Sequence, residues 1–323
     1  MNKIAAATYL QRSIFILFIF ILSFAGKCNR GERAILEERA RKEAVAIRTK
    51  NLIKTIQGIG YTEVSRKFDN GLSFSPVGYQ LVPEWRISFP TVDSVNIYSP
   101  QKKRFLNAPV VFDHDSIFNV AWAWLRLKQL SKDSLKFVVL HVHDKVIQDE
   151  KTHVFMTFYS NNYIKNVLHA DTTDIWKPSR KDTMFIKAKT LKANTILDSA
   201  FAGTEPPTLL SKSKFVTVKK EVPDAVDGGK SYDAYLSPTY HIVIRKAYDD
   251  FAYTYTAFVD EKGTIIFRKS GQASFPEFAK STAATMKAIT DGYLKLYLNT
   301  TPGKTLGIPH TCLIFLNVEG YKK

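Results

Sequence analysis

"TTPGKTLGIPHTCLIFLNVEG", residues 300–320, decides how the chain must end. Pro302, Gly303, Gly307 and Pro309 suit neither a helix interior nor a central strand, so they read as a tight loop. Beyond them the pattern alternates. Cys312, Ile314, Leu316 and Val318 share one side of an extended segment, while Leu313 and Phe315 occupy the other. The chain therefore closes on a β-strand over 311–318, which must dock on strands made earlier.

Those earlier strands stand upstream. "FAYTYTAFVDEKGTIIFRKS" (251–270) reads as a hairpin, with Tyr253, Tyr255, Ala257 and Val259 on one side and Thr254, Thr256 and Phe258 on the other. Asp260-Glu261-Lys262-Gly263 makes the turn, and Gly263 is free to take positive φ. Ser274 and Glu277 then stand at capping-box spacing around Pro276. The helix they open carries Phe278, Thr282, Met286, Ile289 and Tyr293 on one stripe.

Hairpin, helix, "PGKTLGIP" loop and closing apolar strand together resemble the TonB C-terminal domain over residues 238–320. The matching residues are Val259, Asp260, Lys262, Gly263, Ala283, Ala284, Pro302, Gly303, Lys304, Gly307 and Pro309. Gly-Ile-Pro stands where that family has Gly-Lys-Pro, and its long proline-rich spacer is absent. The resemblance implies a mode of binding in which an extended peptide adds to the edge of the last strand. The platform would be Thr311, Cys312, Leu313, Ile314, Phe315, Leu316, Asn317 and Val318. Apolar edges are normally protected, however, and the unbroken apolar run 312–316 favours an edge covered by the N-terminal domain or by a second copy.

The N-terminus bears on location. Lys3 and Arg12 precede an apolar stretch from Ile14 to Ala25, short for a membrane span and suited to a secretory signal. Ser23 and Ala25 sit at signal-peptidase spacing, and Cys28 follows three residues later behind Lys27, where a lipobox has a small residue, so lipidation at Cys28, soluble export and an uncleaved anchor over 9–25 are all open. Each exports the bulk of the chain, to the periplasm or to a membrane-anchored position. Only Cys28 and Cys312 exist, so no disulfide framework is expected, and Cys312 should be a buried thiol.

With 323 residues and 45% apolar content, the chain has material for two packed domains. The reading is α+β: a signal or lipoprotein signal over 1–28, a charged helix over 29–60, a central α+β domain with an antiparallel sheet over 61–222, a linker over 223–237, and the TonB-like domain over 238–323. The charged helix carries Ala34, Ile35, Ala44, Ile47, Ile53 and Ile56 on its stripe, ended by Gly58 and Gly60. "EWRISF", "DSVNIYS", "LKFVVLHVH" and "THVFMTFY" read as strands, the last two as a hairpin. "SIFNVAWAWLRLKQLS" (116–131), preceded by Asp113 and Asp115, reads as a helix, and "TMFIKAKTLKANTI" (183–196) as a strand.

Chemistry is sparse. "PGKT" and "GGKS" lack the earlier glycine of a phosphate loop. No nucleophile elbow, Cys-x-x-Cys pair or dinucleotide fingerprint is present, and no cofactor is expected. His141, His143 and His153 lie on paired strands and are the one set that could hold Zn²⁺, the basis of a metal-dependent hydrolase reading. Trp122 and Trp124, with Phe118 and Leu125, suggest an aromatic box but more simply a core. The net charge of +16 draws the chain to anionic surfaces. The function expected is a non-enzymatic envelope protein that binds another envelope protein or an anionic membrane, not nucleic acid. A metal-dependent hydrolase and a shortened TonB-like transducer are the alternatives.

Overall fold

The computed structural model describes residues 31–100, 102–144, 146–148, 153–172, 175–222, 235–273 and 275–322. The signal segment with Cys28, most of the expected linker and Ser274 lie outside the described residues. The fold is mixed α+β.

A helix over 31–54, α1, leads into the first strand. Its exposed beginning carries Ile35 and Ile47 into solvent, whereas Ile53, and Ile56 just beyond, are buried. Those two join the core of an antiparallel barrel, so the end of α1 stops one mouth of it. The barrel closes in the order β1-β10-β7-β6-β5-β4-β3-β2. Its strands are β1 (Gly60–Phe68), β2 (Arg86–Thr91), β3 (Ser94–Ser99), β4 (Arg104–Phe112), β5 (Ile117–Val120), β6 (Ala123–Leu130), β7 (Ser134–Leu140) and β10 (Val154–Ser160). A small hairpin of β8 (Val142–His143) and β9 (Val146–Ile147) leans out between β7 and β10. Eight strands leave an interior that side chains can fill. Here Phe118, Phe137 and Phe158 fill it, with ring centroids 5.8 and 5.6 Å apart in edge-to-face pairs.

The helix expected over 116–131 is instead the β5–β6 hairpin. Ile117, Phe118, Val120 and Trp124 are β-branched or aromatic, and their alternation matches a pleat better than a helical turn. A two-residue turn at Ala121-Trp122 joins the strands, with Ala121 at φ 55°. Asp113 and Asp115 sit in the preceding turn, where Asp113 N donates to Ile117 O at 3.1 Å.

The strand expected over 183–196 is also overturned. It lies within α3 (Arg180–Thr195), which follows the short α2 (Asn161–Asn166). Ser179 and Asp182 form a capping box, a spacing the sequence reading passed over. Ile186, Thr190 and Ala193 then turn inward at helical intervals.

The C-terminal sheet runs β12-β13-β19-β14-β15. These are β12 (Val216–Lys220), β13 (Thr239–Arg245), β14 (Phe251–Val259), β15 (Ile265–Ser270) and β19 (Cys312–Tyr321). The hairpin turn is as read, with Gly263 at φ 86°. The closing strand alternates as expected, its Cys312, Ile314, Leu316 and Val318 all buried. Residues 276–289 form α4 (Pro276–Ile289), which follows Phe275 in an extended conformation. Met286 and Ile289 pack on the sheet with Ile314, Leu316 and Val318. A π-turn at Thr290–Leu294 extends the helix, and β16 (Leu298–Thr301) pairs with β11 (Thr208–Ser211). β17 (Gly303–Thr305) and β18 (Ile308–His310) form the loop before β19. Strand pairing does not stop at residue 222, since β11 and β12 both pair with strands beyond the expected linker.

One helix touches both halves. Asp182, with no exposed surface, accepts from Ser73 N at 2.7 Å and from Ser179 N and Oγ at 3.0 and 2.6 Å. Lys181 and Lys189 donate to the carbonyls of Asn70 and Pro76 at 2.6 and 2.7 Å. Asn194, next to the last residue of the helix, accepts from Thr311 N at 2.9 Å. Truncating Asp182 strands buried donors in two elements, which costs on the order of 2–3 kcal/mol. Asp182→Ala is expected to lower the denaturant midpoint accordingly, whereas Lys187→Ala, on the exposed side of the same helix, leaves it nearly unchanged.

Candidate functional site

The proposed peptide-binding edge, Thr311 to Val318, is not an edge. β19 pairs along one side with β14, antiparallel from Phe251↔Gly320 to Val259↔Cys312. Along the other it pairs with β13, parallel from Thr239↔Phe315 to Arg245↔Tyr321. Both rows of backbone groups are therefore used. The sequence reading expected cover from outside this unit, but β13 of the same sheet supplies it. The outer strands are β12 and β15. β12 ends in Lys219 and Lys220, and β15 carries Arg268 and Lys269 beside a bulge, features that discourage edge-to-edge pairing.

The histidines do not make a metal site. His141 follows β7, His143 lies on the β8–β9 hairpin beside Asp144 at 3.1 Å, and His153 precedes β10. Among the described residues no three His, Cys, Asp or Glu groups are placed to hold a metal ion. The small hairpin, which the sequence reading treated as a loop, separates His143 from the main ladder.

Cys312 is buried as expected. Its Sγ lies 3.6 Å from His310 Nδ1, the pairing of a nucleophile and a base. Burial decides otherwise. It pushes the Cys312 thiol up to about 12 and holds His310 down to about 4, so the pair is neutral. His310 Nε2 meets Thr305 Oγ1 at 2.9 Å, and its ring stacks on Phe201 at 3.8 Å. This is packing at the joint between the halves, not catalysis.

A concave site lies on the barrel. A cavity of about 640 Å³ is lined by Trp85, Ile97, Tyr98, Leu106, Ala108 and Trp122, with Glu84, Ser99 and Lys102 at its polar border. Trp122 occupies the β5–β6 turn and is 74% exposed. Its ring meets Trp85 edge-to-face, 6.1 Å between centroids. Arg86 lies 4.1 Å over Tyr98 and Arg66 lies 6.0 Å over Trp85, so guanidinium groups brace both rings.

Glu63 fixes this corner. It is buried on β1, bound to Arg66 through two 2.7 Å contacts, and it accepts from Glu84 N and Trp85 N at 3.0 and 3.1 Å. Residues three apart on a strand would face opposite sides. A bulge between Glu63 and Ser65 resets the register so that both charges face one way. Desolvation raises the Glu63 carboxyl above its usual range, with Arg66 and the two amides opposing. Trp122 was visible in the sequence as a candidate. Trp85 and Tyr98 were not, because each sits in an ordinary strand pattern and only closure of the barrel brings them together. A second cavity, of about 490 Å³, lies along the π-turn between Tyr248, Tyr293, Leu296 and Tyr297.

No family model matches this chain, and no curated protein matches it.

The neutral His310 makes stability pH-dependent. Its folded value is below the ordinary 6.5, so its contribution is complete above about 6.5 and is lost as pH falls toward about 4. The loss amounts to about 3 kcal/mol over that window. Unfolding titrations are expected to show it, and His310→Gln should flatten the dependence. Native Cys312 should resist thiol reagents at pH 8 and react on unfolding.

Proposed function

We propose that the chain is a non-enzymatic binding protein of the cell envelope whose principal site is the aromatic corner on the barrel. The observation that carries this is the cavity between Trp85, Tyr98 and Trp122, held open by a buried Glu63–Arg66 pair. A buried ion pair adds little net stability, so its use in fixing Trp85 points to a shaped site. The chemistry of the lining favours a small amphipathic ligand: an apolar or aromatic ring against the indoles and a polar or charged group at Ser99, Lys102 and Glu84.

Export and membrane attachment belong to the same proposal, and they rest on the apolar stretch Ile14 to Ala25 with Cys28 behind it. The C-terminal unit is proposed as TonB-like. The order β15-β14-β19, with α4 packed on one face, supports that reading, since hairpin, helix and closing strand are the elements the resemblance requires. Its work here would be docking through its surface, with the centre of its sheet closed.

A naphthalene sulfonate dye is a suitable probe, because it joins aromatic rings to an anion that Lys102 can meet. Binding to the full chain should saturate at one site. Trp122→Ala is expected to weaken it roughly tenfold, the scale of one lost aromatic contact, without moving the melting temperature. Unchanged dye affinity in both Trp122→Ala and Trp85→Ala would remove the barrel site as the seat of function.

A further inference from the structure

The helix that joins the two halves has an outer face that the joint does not use. At 3.6 residues per turn, Arg180, Met184, Lys187, Ala188, Leu191, Lys192 and Thr195 fall on one side of α3 together with Lys181. Their order around the circumference is informative. Met184, Leu191, Thr195 and Ala188 form the middle of the arc. Arg180 and Lys187 border it on one side, Lys181 and Lys192 on the other. Met184 and Leu191 are 62% and 69% exposed, and Ile196 and Leu197 continue the apolar surface past the helix end.

Lys181 is held by the Asn70 carbonyl and belongs to the joint; the strip and the other three basic residues, Arg180, Lys187 and Lys192, do not. The inward residues Ile186, Thr190 and Ala193 are buried, and Asp182 already fixes the helix start. Exposed methionine and leucine side chains gain nothing from water. Arg180 in the first turn faces the positive end of the helix dipole, an unfavourable place for a cation. The helix contains five basic residues and one acid, Asp182, whose oxygens are turned into the protein.

From this arrangement we infer that the outer face of α3 lies on an anionic lipid bilayer, with Met184 and Leu191 in the headgroup boundary and Arg180, Lys187 and Lys192 on lipid phosphates. An apolar strip bordered on both sides by basic residues is the pattern of an interfacial helix. The long lysine side chains can lay their methylenes beside the strip and lift their charges to the phosphates. Excess positive charge on this face complements the negative surface of an acidic leaflet. The inference stands apart from the barrel site and does not depend on it.

The apolar N-terminal stretch could insert into any bilayer, so the test must read α3 itself. A spin label at Leu191→Cys, in the full chain carrying Cys28→Ser, reports depth locally, since Cys312 is buried. In phosphatidylcholine vesicles containing phosphatidylglycerol, the label should become severalfold more accessible to oxygen relative to a water-soluble nickel chelate. In phosphatidylcholine alone it should stay aqueous. Lys187→Glu with Lys192→Glu should return it to water in both, with the melting temperature unchanged because both lysines are exposed. A label at the exposed Thr217 should remain aqueous throughout. An aqueous label at 191 in both vesicles, equal depth in both, or no response to the double charge reversal would each overturn the inference.

Discussion

A buried carboxylate with its hydrogen bonds completed by two segments sets the relation between the halves of this molecule. Asp182 gathers Ser73 N from the barrel and Ser179 from its own helix start. A charge out of water is tolerated only where such donors surround it. The loop over residues 70–80 therefore has one place to lie, against the first turns of α3, and Lys181 and Lys189 repeat the constraint through the carbonyls of Asn70 and Pro76. Gly78, at φ 89°, lets that loop pass against Phe201, and Tyr235 donates to its carbonyl at 3.0 Å. Phe201 in turn covers His310. A chain of contacts thus runs from the barrel through α3 to the residues that introduce β19.

That arrangement decides where binding can occur. The inner end of the C-terminal sheet is occupied by the joint, the flanks of β19 by β13 and β14, and the outer strands by basic side chains. The barrel interior is filled with phenylalanine rings. On the barrel the corner at Trp85 and Trp122 is concave and faces solvent. Its walls come from β3, β4, the segment just before β2 and the β5–β6 turn, and the backbone N–H of Trp85 is tied to the buried Glu63. The Glu63 carboxylate keeps Trp85 in place before any ligand arrives, which lowers the ordering cost of binding.

The local signals that could be read from the sequence were those with a strict period. Alternation marked β2, β3, β7, β10, β14, β15 and β19, and Gly263 marked its turn. Two segments were misread for opposite reasons. In 116–131 closely spaced aromatics and leucines resembled a helix stripe, yet a two-residue turn at Ala121-Trp122 lacks the glycine or asparagine that usually announces one. In 183–196 Phe185 and Ile186 among lysines resembled a strand surface, while the cap at Ser179 and Asp182 stood just upstream. The closed barrel and the insertion of β13 beside β19 leave no local trace. They depend on pairings between segments far apart, Tyr61 with Ser160 and Thr239 with Phe315 among them. The binding corner inherits that opacity, because Trp85, Tyr98 and Trp122 meet only when those pairings are made.

The position of β19 has a consequence for assembly as well as for recognition. The last strand of the chain is the centre of its sheet, parallel to one neighbour and antiparallel to the other. Until it arrives, β12–β13 and β14–β15 are separate hairpins, each too small to be stable in water. The apolar side chains Ile242, Ile244, Tyr255 and Ala257 have no shared core before Ile314, Leu316 and Val318 come between them. The five-stranded sheet therefore requires β19, whose contacts are long in sequence and slow to close. A strand in that role cannot yield to an incoming peptide without opening both ladders and the core beneath. Recognition has to use surfaces whose occupation leaves the sheet intact, and the barrel corner is one of these.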